Sequence, residues 1–177
     1  MRWMILVLVT IGSAASGQQL KTKNLIIVTL DGYRWQELFE GPDPKLIGHE
    51  SRNTRISQFI GATQAATREK LMPFMWNVVA REGQLYGNRN YRNRVNCSNH
   101  HLLSYPGYSE MLVGFPEKSV SSNDRSDNPN PTVLEFIHKH PDFHDRVAAF
   151  ATWDVFSYIL RENKADFYVN AGNDLAL

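Results

Sequence analysis

The chain has 177 residues, of which 42% are hydrophobic and 21% are charged, an ordinary composition for one globular domain. Its formal net charge of +1, from 19 basic and 18 acidic residues, gives no electrostatic reason to expect a nucleic-acid polymer as partner. The single cysteine, Cys97, excludes an intrachain disulfide framework and a cysteine-rich metal site.

The first residues have the pattern of a secretory signal peptide. Arg2 gives a basic start, and residues 3–11 form an apolar run that is shorter than the roughly 20 residues a membrane helix needs. Small residues follow at 12–17. This pattern predicts a signal peptide over 1–17 and a domain over 18–177, with a buried N-terminal strand as the alternative. Export without cysteine pairs favours a secreted or periplasmic protein of a bacterium, with no transmembrane segment after cleavage.

The next element is an apolar run that ends in a carboxylate. Six of the seven residues from 25 to 31 are apolar or β-branched, and the seventh is Asp31. Such a run predicts a strand buried on both faces of a parallel sheet. Ligands of open α/β sheets sit beyond the carboxyl ends of the strands, so Asp31 is a candidate metal ligand. Asp31 with Gly32 is also a common turn pair, and both interpretations stay open on these residues alone.

Helix and strand signals then alternate along the chain, which predicts an α/β fold. In the first half of the chain, the pattern predicts a short helix or turn at 33–40 and a short helical piece at 56–60. It then predicts a helix over 67–82, which is regular from Met72 and stops at Gly83, and strands at 84–88 and 94–97. In the second half, the pattern predicts a helix at 106–113 that ends at Gly114, a strand at 146–152 and helical turns at 155–160. It also predicts a helix that begins at Asn130 and Pro131 and buries Val133, Leu134, Phe136 and Ile137.

Ser104 is the second candidate functional residue. It lies just before a helix that Pro106 can initiate. The free N–H groups and the positive end of the helix dipole at such a place stabilise an alkoxide and hold an anion such as phosphate. Ser104 is therefore a candidate nucleophile, with a plain helix cap as the alternative.

Asp31-Gly32, followed by Ser104-Tyr105-Pro106 and then by Gly114 with Pro116-Glu117, resembles the alkaline phosphatase superfamily. The similarity is to its type I phosphodiesterase/nucleotide pyrophosphatase-like and phosphoglycerate-mutase-like branch, and it covers most of the chain from Asn24 onward. It implies an alkaline-phosphatase-like three-layer α/β/α sandwich, incomplete at the C-terminus. It also implies two divalent metal ions, with zinc expected, and a small-molecule phosphate ester as substrate.

The resemblance assigns roles to three residues. Asp31 and Ser104 would bind one of the two metal ions, Ser104 would be the catalytic nucleophile, and Asn123 would bind a non-bridging phosphate oxygen. Asn128 is the reserve for Asn123, and a turn asparagine is the alternative for that position. The phosphodiesterase branch has Thr as nucleophile and Asn-His after the Pro, so Ser104 leaves monoester and diester substrates both open.

No copy of the family's further Asp and His ligands is recognisable in the sequence. The stretches 138–140 (HKH) and 142–145 (DFHD) contain ligand-type residues, but their position beside Pro141 is more typical of a solvated helix terminus. The sequence is therefore interpreted as the N-terminal part of a metal-dependent hydrolase that works through a phosphoseryl intermediate, and the 177-residue chain as inactive by itself.

Three rival functions use the same residues. They are a non-catalytic secreted binding module of the same fold, a phosphomutase, and a sulfatase-like enzyme. The last is disfavoured because Tyr108 stands where the sulfatase segment requires Arg.

Overall fold

The computed structural model describes residues 22–47 and 54–172. The chain divides into two compact units, Met1–Leu30 and Asp31–Leu177. The predicted signal peptide at 1–17 lies outside the described residues. Within the described ranges, no helix is both long enough and apolar enough to cross a membrane.

The described part of the first unit, residues 22–30, contains no helix and no strand. Leu25, Ile26 and Val28 are 70%, 83% and 77% exposed. The predicted buried strand at 25–31 is therefore wrong in this structure. A strand needs a hydrogen-bonded neighbour and apolar cover, and sequence pattern alone does not supply either.

The second unit is built of short helices and one small sheet. The helices are α1 (Trp35–Phe39), α2 (Pro44–Ile47), α3 (Thr54–Ser57), α4 (Gln64–Leu71), a π-helical segment (Met75–Val79), α5 (Ala80–Glu82), a 3-10 turn (Arg89–Tyr91), α6 (Ser104–Val113), α7 (Val133–His138), α8 (Phe156–Ile159) and α9 (Glu162–Ala165). The strands are β1 (Ala148–Phe150) and β2 (Tyr168–Asn170).

β1 and β2 form a two-stranded parallel sheet, in which Ala148 pairs with Tyr168 and Phe150 with Asn170. The Ala151 N–H extends the ladder by donating to the Asn170 carbonyl at 2.7 Å. Helices with a parallel sheet make the described chain mixed α/β, as predicted. The three-layer sandwich stays a prediction.

The hydrophobic core lies in the C-terminal half of the second unit, where α6, α8, α9 and β2 meet. Its buried members are Tyr105, Leu112, Val120, Val155, Ile159, Leu160, Ala165, Phe167 and Val169. Because residues of α6 belong to this core, the helix that begins at Ser104 rests on the best-packed part of the described chain.

The predicted helix at 67–82 is broken in two. α4 begins at Gln64, where the Thr63 hydroxyl accepts a hydrogen bond from the Ala66 N–H at 3.1 Å. It ends before Pro73, because a proline has no N–H and excludes the helical conformation at the residue before it. Met72 accordingly has φ −135° and ψ 68°, and the chain resumes as the π-helical segment. The stop at Gly83 is confirmed.

Helix α7 begins later than predicted and buries a different face. Thr132, not Asn130, is its N-cap, and Thr132 forms a capping box with Glu135. Val133 and Phe136 are 40% and 76% exposed, whereas Glu135 and His138 are buried. The predicted apolar face is therefore wrong for Val133 and Phe136, whereas Leu134 packs against the core as predicted. The capping box fixes the start of the helix, and Glu135 and His138 share its inward side.

The other element predictions divide clearly. Four predicted elements are confirmed: the short helix within 33–40, the helix ending at Gly114, the strand within 146–152 and the helix within 155–160. Each is shorter than predicted, except the helix that ends at Gly114. The segments 84–88 and 94–97 contain no strand, and α9 and β2 were not predicted.

Candidate functional site

Ser104 is the first residue of α6, a helix of ten residues. Leu103 precedes it in an extended conformation, with φ −122° and ψ 154°, and no side chain of Leu103 caps the helix. The first intrahelical hydrogen bond is donated by the Gly107 N–H to the Leu103 carbonyl at 3.2 Å. Since Pro106 has no N–H, the helix start leaves two free donors, the N–H groups of Ser104 and Tyr105.

Asn123 lies at this helix start. Its Oδ1 accepts a hydrogen bond from the Tyr105 N–H at 2.9 Å. In the part of the chain that the structure describes, neither the N–H nor the hydroxyl of the half-buried Ser104 has a hydrogen-bond partner. The structure thus places two of the three sequence-predicted residues, Ser104 and Asn123, around one helix N-terminus, with the Ser104 donors available to a ligand.

A carboxylate on α6 holds the loop that leads to Ser104. Glu110 accepts hydrogen bonds from the Ser98 N–H, the Asn99 N–H at 2.9 Å and the Asn99 Nδ2 at 2.7 Å. The Ser98 and Asn99 N–H donors lower the pKa of Glu110 to about 2. The carboxylate is therefore charged at neutral pH and ties the loop to the helix that carries the candidate nucleophile.

Leu102, between this anchor and Ser104, has a left-handed backbone with φ +50°. A bulky residue rarely adopts this conformation, and such local strain is held in place only by the surrounding structure. The Glu110 anchor on one side and the start of α6 on the other supply that constraint. The backbone next to Ser104 is therefore fixed at both ends.

Cys97 is the other nucleophile-type residue near α6, and its Sγ lies 4.0 Å from the position that a Cβ would take at Gly107. Desolvation and the charge of Glu110 raise the pKa of this thiol. A raised pKa keeps the sulfur protonated, so Cys97 is a poor competitor of Ser104 as nucleophile.

Asn128, the reserve for Asn123, has a structural role. It is completely buried, and its Nδ2 donates to the Ser109 hydroxyl at 3.0 Å and to the Ile159 carbonyl at 3.4 Å. Its own N–H donates to the Tyr158 carbonyl at 3.0 Å. Asn128 thus joins α6 to α8 inside the core, and it does not face a ligand.

Asp31 lies in an exposed turn with Gly32, whose φ is +71°. Among the described residues, no hydrogen bond or ion pair joins Asp31 to Ser104. Two oxygen ligands are also too few for a two-metal centre, which clamps its ions roughly 4 Å apart. The described residues therefore do not complete the metal centre that the family resemblance implies.

A set of metal-ligand residues does converge elsewhere in the described chain: His138, His144 and Asp166, whose ligand atoms all lie within 4.8 Å of one another. The interpretation of 138–140 as a solvated helix terminus is wrong for His138, which is only 3% exposed, and right for the exposed His140. The capping box of Thr132 and Glu135 was the signal for this, since it places residues 135 and 138 on one face.

No protein-family model matches the chain, and searches of curated proteins and of solved structures gave no significant match.

Proposed function

We propose that this chain carries the nucleophile of a hydrolase that acts on small-molecule phosphate esters, monoester or diester, through a phosphoseryl intermediate at Ser104. The observation that carries the proposal is Ser104 at the start of α6, where the Ser104 N–H and hydroxyl are free of hydrogen bonds among the described residues and the Asn123 side chain caps the helix through the Tyr105 N–H. The sequence resemblance to the alkaline phosphatase superfamily supports the same role, a three-layer sandwich for the complete domain, and a secreted or periplasmic location.

The geometry at the start of α6 suits phosphoryl transfer. The helix dipole and the free Ser104 N–H favour a negative charge at this point, both on the attacking serine oxygen and on a phosphate. The Asn123 side-chain oxygen accepts the hydrogen bond of the neighbouring Tyr105 N–H, so the Asn123 side chain lies at the same helix end. A phosphate held there would have the Ser104 hydroxyl, a backbone N–H and a side-chain amide around it.

The reaction balances over two displacements. In the first, the Ser104 oxygen forms a bond to phosphorus, the ester P–O bond breaks, and the leaving alcohol takes the proton that the serine loses. In the second, a water oxygen forms a bond to phosphorus, the bond between phosphorus and the Ser104 oxygen breaks, and a proton from the water restores the serine hydroxyl. The product is phosphate from a monoester and a phosphate monoester from a diester.

Divalent metal ions, with zinc expected, are part of the proposal. Asp31 and Ser104 would contribute ligands, and the sequence contains no recognisable copy of the family's other ligands. We therefore expect the 177-residue chain to be inactive by itself. A purified 177-residue chain that binds two zinc ions and hydrolyses p-nitrophenyl phosphate would contradict this expectation.

Replacement of the nucleophile tests the proposal. In the protein translated from the complete reading frame, Ser104→Ala is expected to lower kcat for p-nitrophenyl phosphate at least about 1,000-fold, because no other group can form the covalent intermediate. Ser121→Ala, which changes an exposed loop serine, serves as the matched control and should keep the wild-type rate. A rate near wild type in Ser104→Ala would show that Ser104 is not the nucleophile. A complete protein that binds phosphate without hydrolysing any ester would favour the binding module.

A further inference from the structure

The cluster of His138, His144 and Asp166 draws its members from three different segments. His138 is the last residue of α7, His144 lies in the turns before β1, and Asp166 connects α9 to β2. His144 and Asp166 therefore both precede strands of the parallel pair. They lie at the amino ends of β1 and β2, and α7 contributes the third side chain.

His138 is buried without any hydrogen bond. It is 3% exposed, and neither its Nδ1 nor its Nε2 has a partner. Its neighbours are rings: its centroid lies 4.6 Å from that of His144 and 6.0 Å from that of Phe167. A buried polar atom without a partner is costly, and such an atom in a folded protein calls for an ion or a water that is part of the site.

The exposed His144 adds a second imidazole, whose Nδ1 lies 3.1 Å from the Asp145 carboxylate. A carboxylate beside a metal-bound imidazole helps to hold the ring in place. Asp166 adds one carboxylate oxygen to the two imidazole nitrogens.

We infer that His138, His144 and Asp166 bind one divalent transition-metal ion of the zinc class. Two imidazoles with one carboxylate suit Zn²⁺, whereas Mg²⁺ and Ca²⁺ prefer oxygen ligands. Zinc at about 2.0–2.1 Å from each ligand requires the ligand atoms to approach to about 3.3 Å, from the present spread of up to 4.8 Å. His144 and Asp166 are exposed and lie outside helices and strands, so their side chains have room to close around the ion.

The position of the site assigns it a structural role. Active sites of open α/β sheets lie beyond the carboxyl ends of the strands, whereas this cluster lies at the amino ends of β1 and β2. An ion here would tie the end of α7 to the segments that begin both strands. This inference does not rest on the phosphatase proposal, since the site shares no residue with Ser104, Asn123 or Asp31.

Zinc binding by the tag-free 177-residue chain tests the inference. The chain is stripped with a chelator and titrated with Zn²⁺ or Mg²⁺, with bound metal measured by calorimetry and elemental analysis. We expect one tightly bound zinc per chain, a higher Tm with zinc, and no tight binding of Mg²⁺. A folded chain that binds no zinc would overturn the inference and leave a buried water as the partner of His138.

Substitutions at the exposed ligands locate the ion without disturbing the core. His144→Ala and Asp166→Asn are each expected to weaken zinc binding at least about tenfold, the lower bound for losing even an outer partner of a ligand. Asn tolerates the left-handed backbone of Asp166, whose φ is +56°, and circular dichroism checks the fold.

Two further variants are controls. His140→Ala removes an imidazole from the same helix end but outside the cluster, and Asp142→Asn removes an exposed carboxylate beside it. Both should keep the zinc affinity of the wild type. Zinc affinity that is unchanged in both His144→Ala and Asp166→Asn would place the ion elsewhere and overturn the inference.

Discussion

The start of α6 leaves the N–H groups of Ser104 and Tyr105 without helical partners, and Asn123 accepts a hydrogen bond from one of them. Because Asn123 caps the helix through the Tyr105 N–H, the Ser104 hydroxyl is not needed as a cap and stays free for chemistry. A serine that caps its own helix uses its hydroxyl on the backbone, whereas at this helix an asparagine from a distant loop does that work.

The Asn123 cap gives the first stability prediction. Asn123→Ala leaves the Tyr105 N–H without its acceptor and should lower the free energy of unfolding by about 1 kcal/mol. Asn123→Asp keeps an oxygen at the same place and should stay near the wild-type value. Urea denaturation of both variants measures the difference. Equal stability of Asn123→Ala and the wild type would show that the cap does not form in solution.

The Glu110 anchor predicts a dependence on acid pH. Its pKa falls from 4.5 to about 2 in the folded chain, so the folded state holds its proton less tightly than the unfolded state does. The stabilisation from Glu110 is therefore complete above pH 4.5 and is lost as the pH falls through about 2. The NMR shifts of the Ser98 and Asn99 amide protons should follow this titration.

Glu110→Gln is the control for that titration. The amide keeps an acceptor oxygen but does not ionise, so the shifts of Ser98 and Asn99 should lose the titration step that the wild type shows near pH 2. Persistence of the step in this variant would assign the titration to another group.

Helix α7 shows at the element scale how a local signal can outweigh an apolar pattern. The run of Val133, Leu134, Phe136 and Ile137 predicts a buried apolar face. The structure half-buries Leu134 and Ile137, exposes the other two, and buries Glu135 and His138. Glu135 bonds to the Thr132 N–H at 3.2 Å within the capping box, and it also lies 3.6 Å from the Arg161 guanidinium. A buried carboxylate with two such partners can be accommodated where an unpaired one could not.

The capping box of α7 gives the prediction at this scale. Thr132→Ala removes the hydroxyl that accepts the Glu135 N–H and should destabilise the protein by about 1 kcal/mol, whereas Thr132→Ser should retain most of that amount. Thermal unfolding of the two variants measures the difference. If Ser and Ala were equally destabilising, lost packing of the Thr methyl group, and not the cap, would be responsible.

Elements with strong local signals were predictable from the sequence. The end of α6 at Gly114 follows from the left-handed backbone that glycine adopts there, with φ +91°. Pro73 predicts that regular helix starts at Met72, and the structure does break the helix at that residue, but it keeps α4 as a separate regular helix before the break. The apolar run at 25–31 carries a strong strand signal, but whether it pairs depends on distant segments that the pattern does not contain.

For the molecule as a whole, the sequence predicted the mixed α/β class and two residues that the structure brings together, Ser104 and Asn123. It did not predict the cluster of His138, His144 and Asp166. β1, α8 and α9 separate Asp166 from both histidines along the chain, and the parallel pairing of β1 with β2 brings His144 and Asp166 to one edge. The spacing of these residues along the chain does not predict that the two strands pair.

The most direct test of the nucleophile is to trap the covalent intermediate. The protein translated from the complete reading frame is mixed with p-nitrophenyl phosphate, quenched in acid during turnover, digested and analysed by mass spectrometry. We predict one phosphoryl group on the peptide that contains Ser104, and none in Ser104→Ala. Turnover of the ester without any phosphoserine at Ser104 would contradict the proposed function.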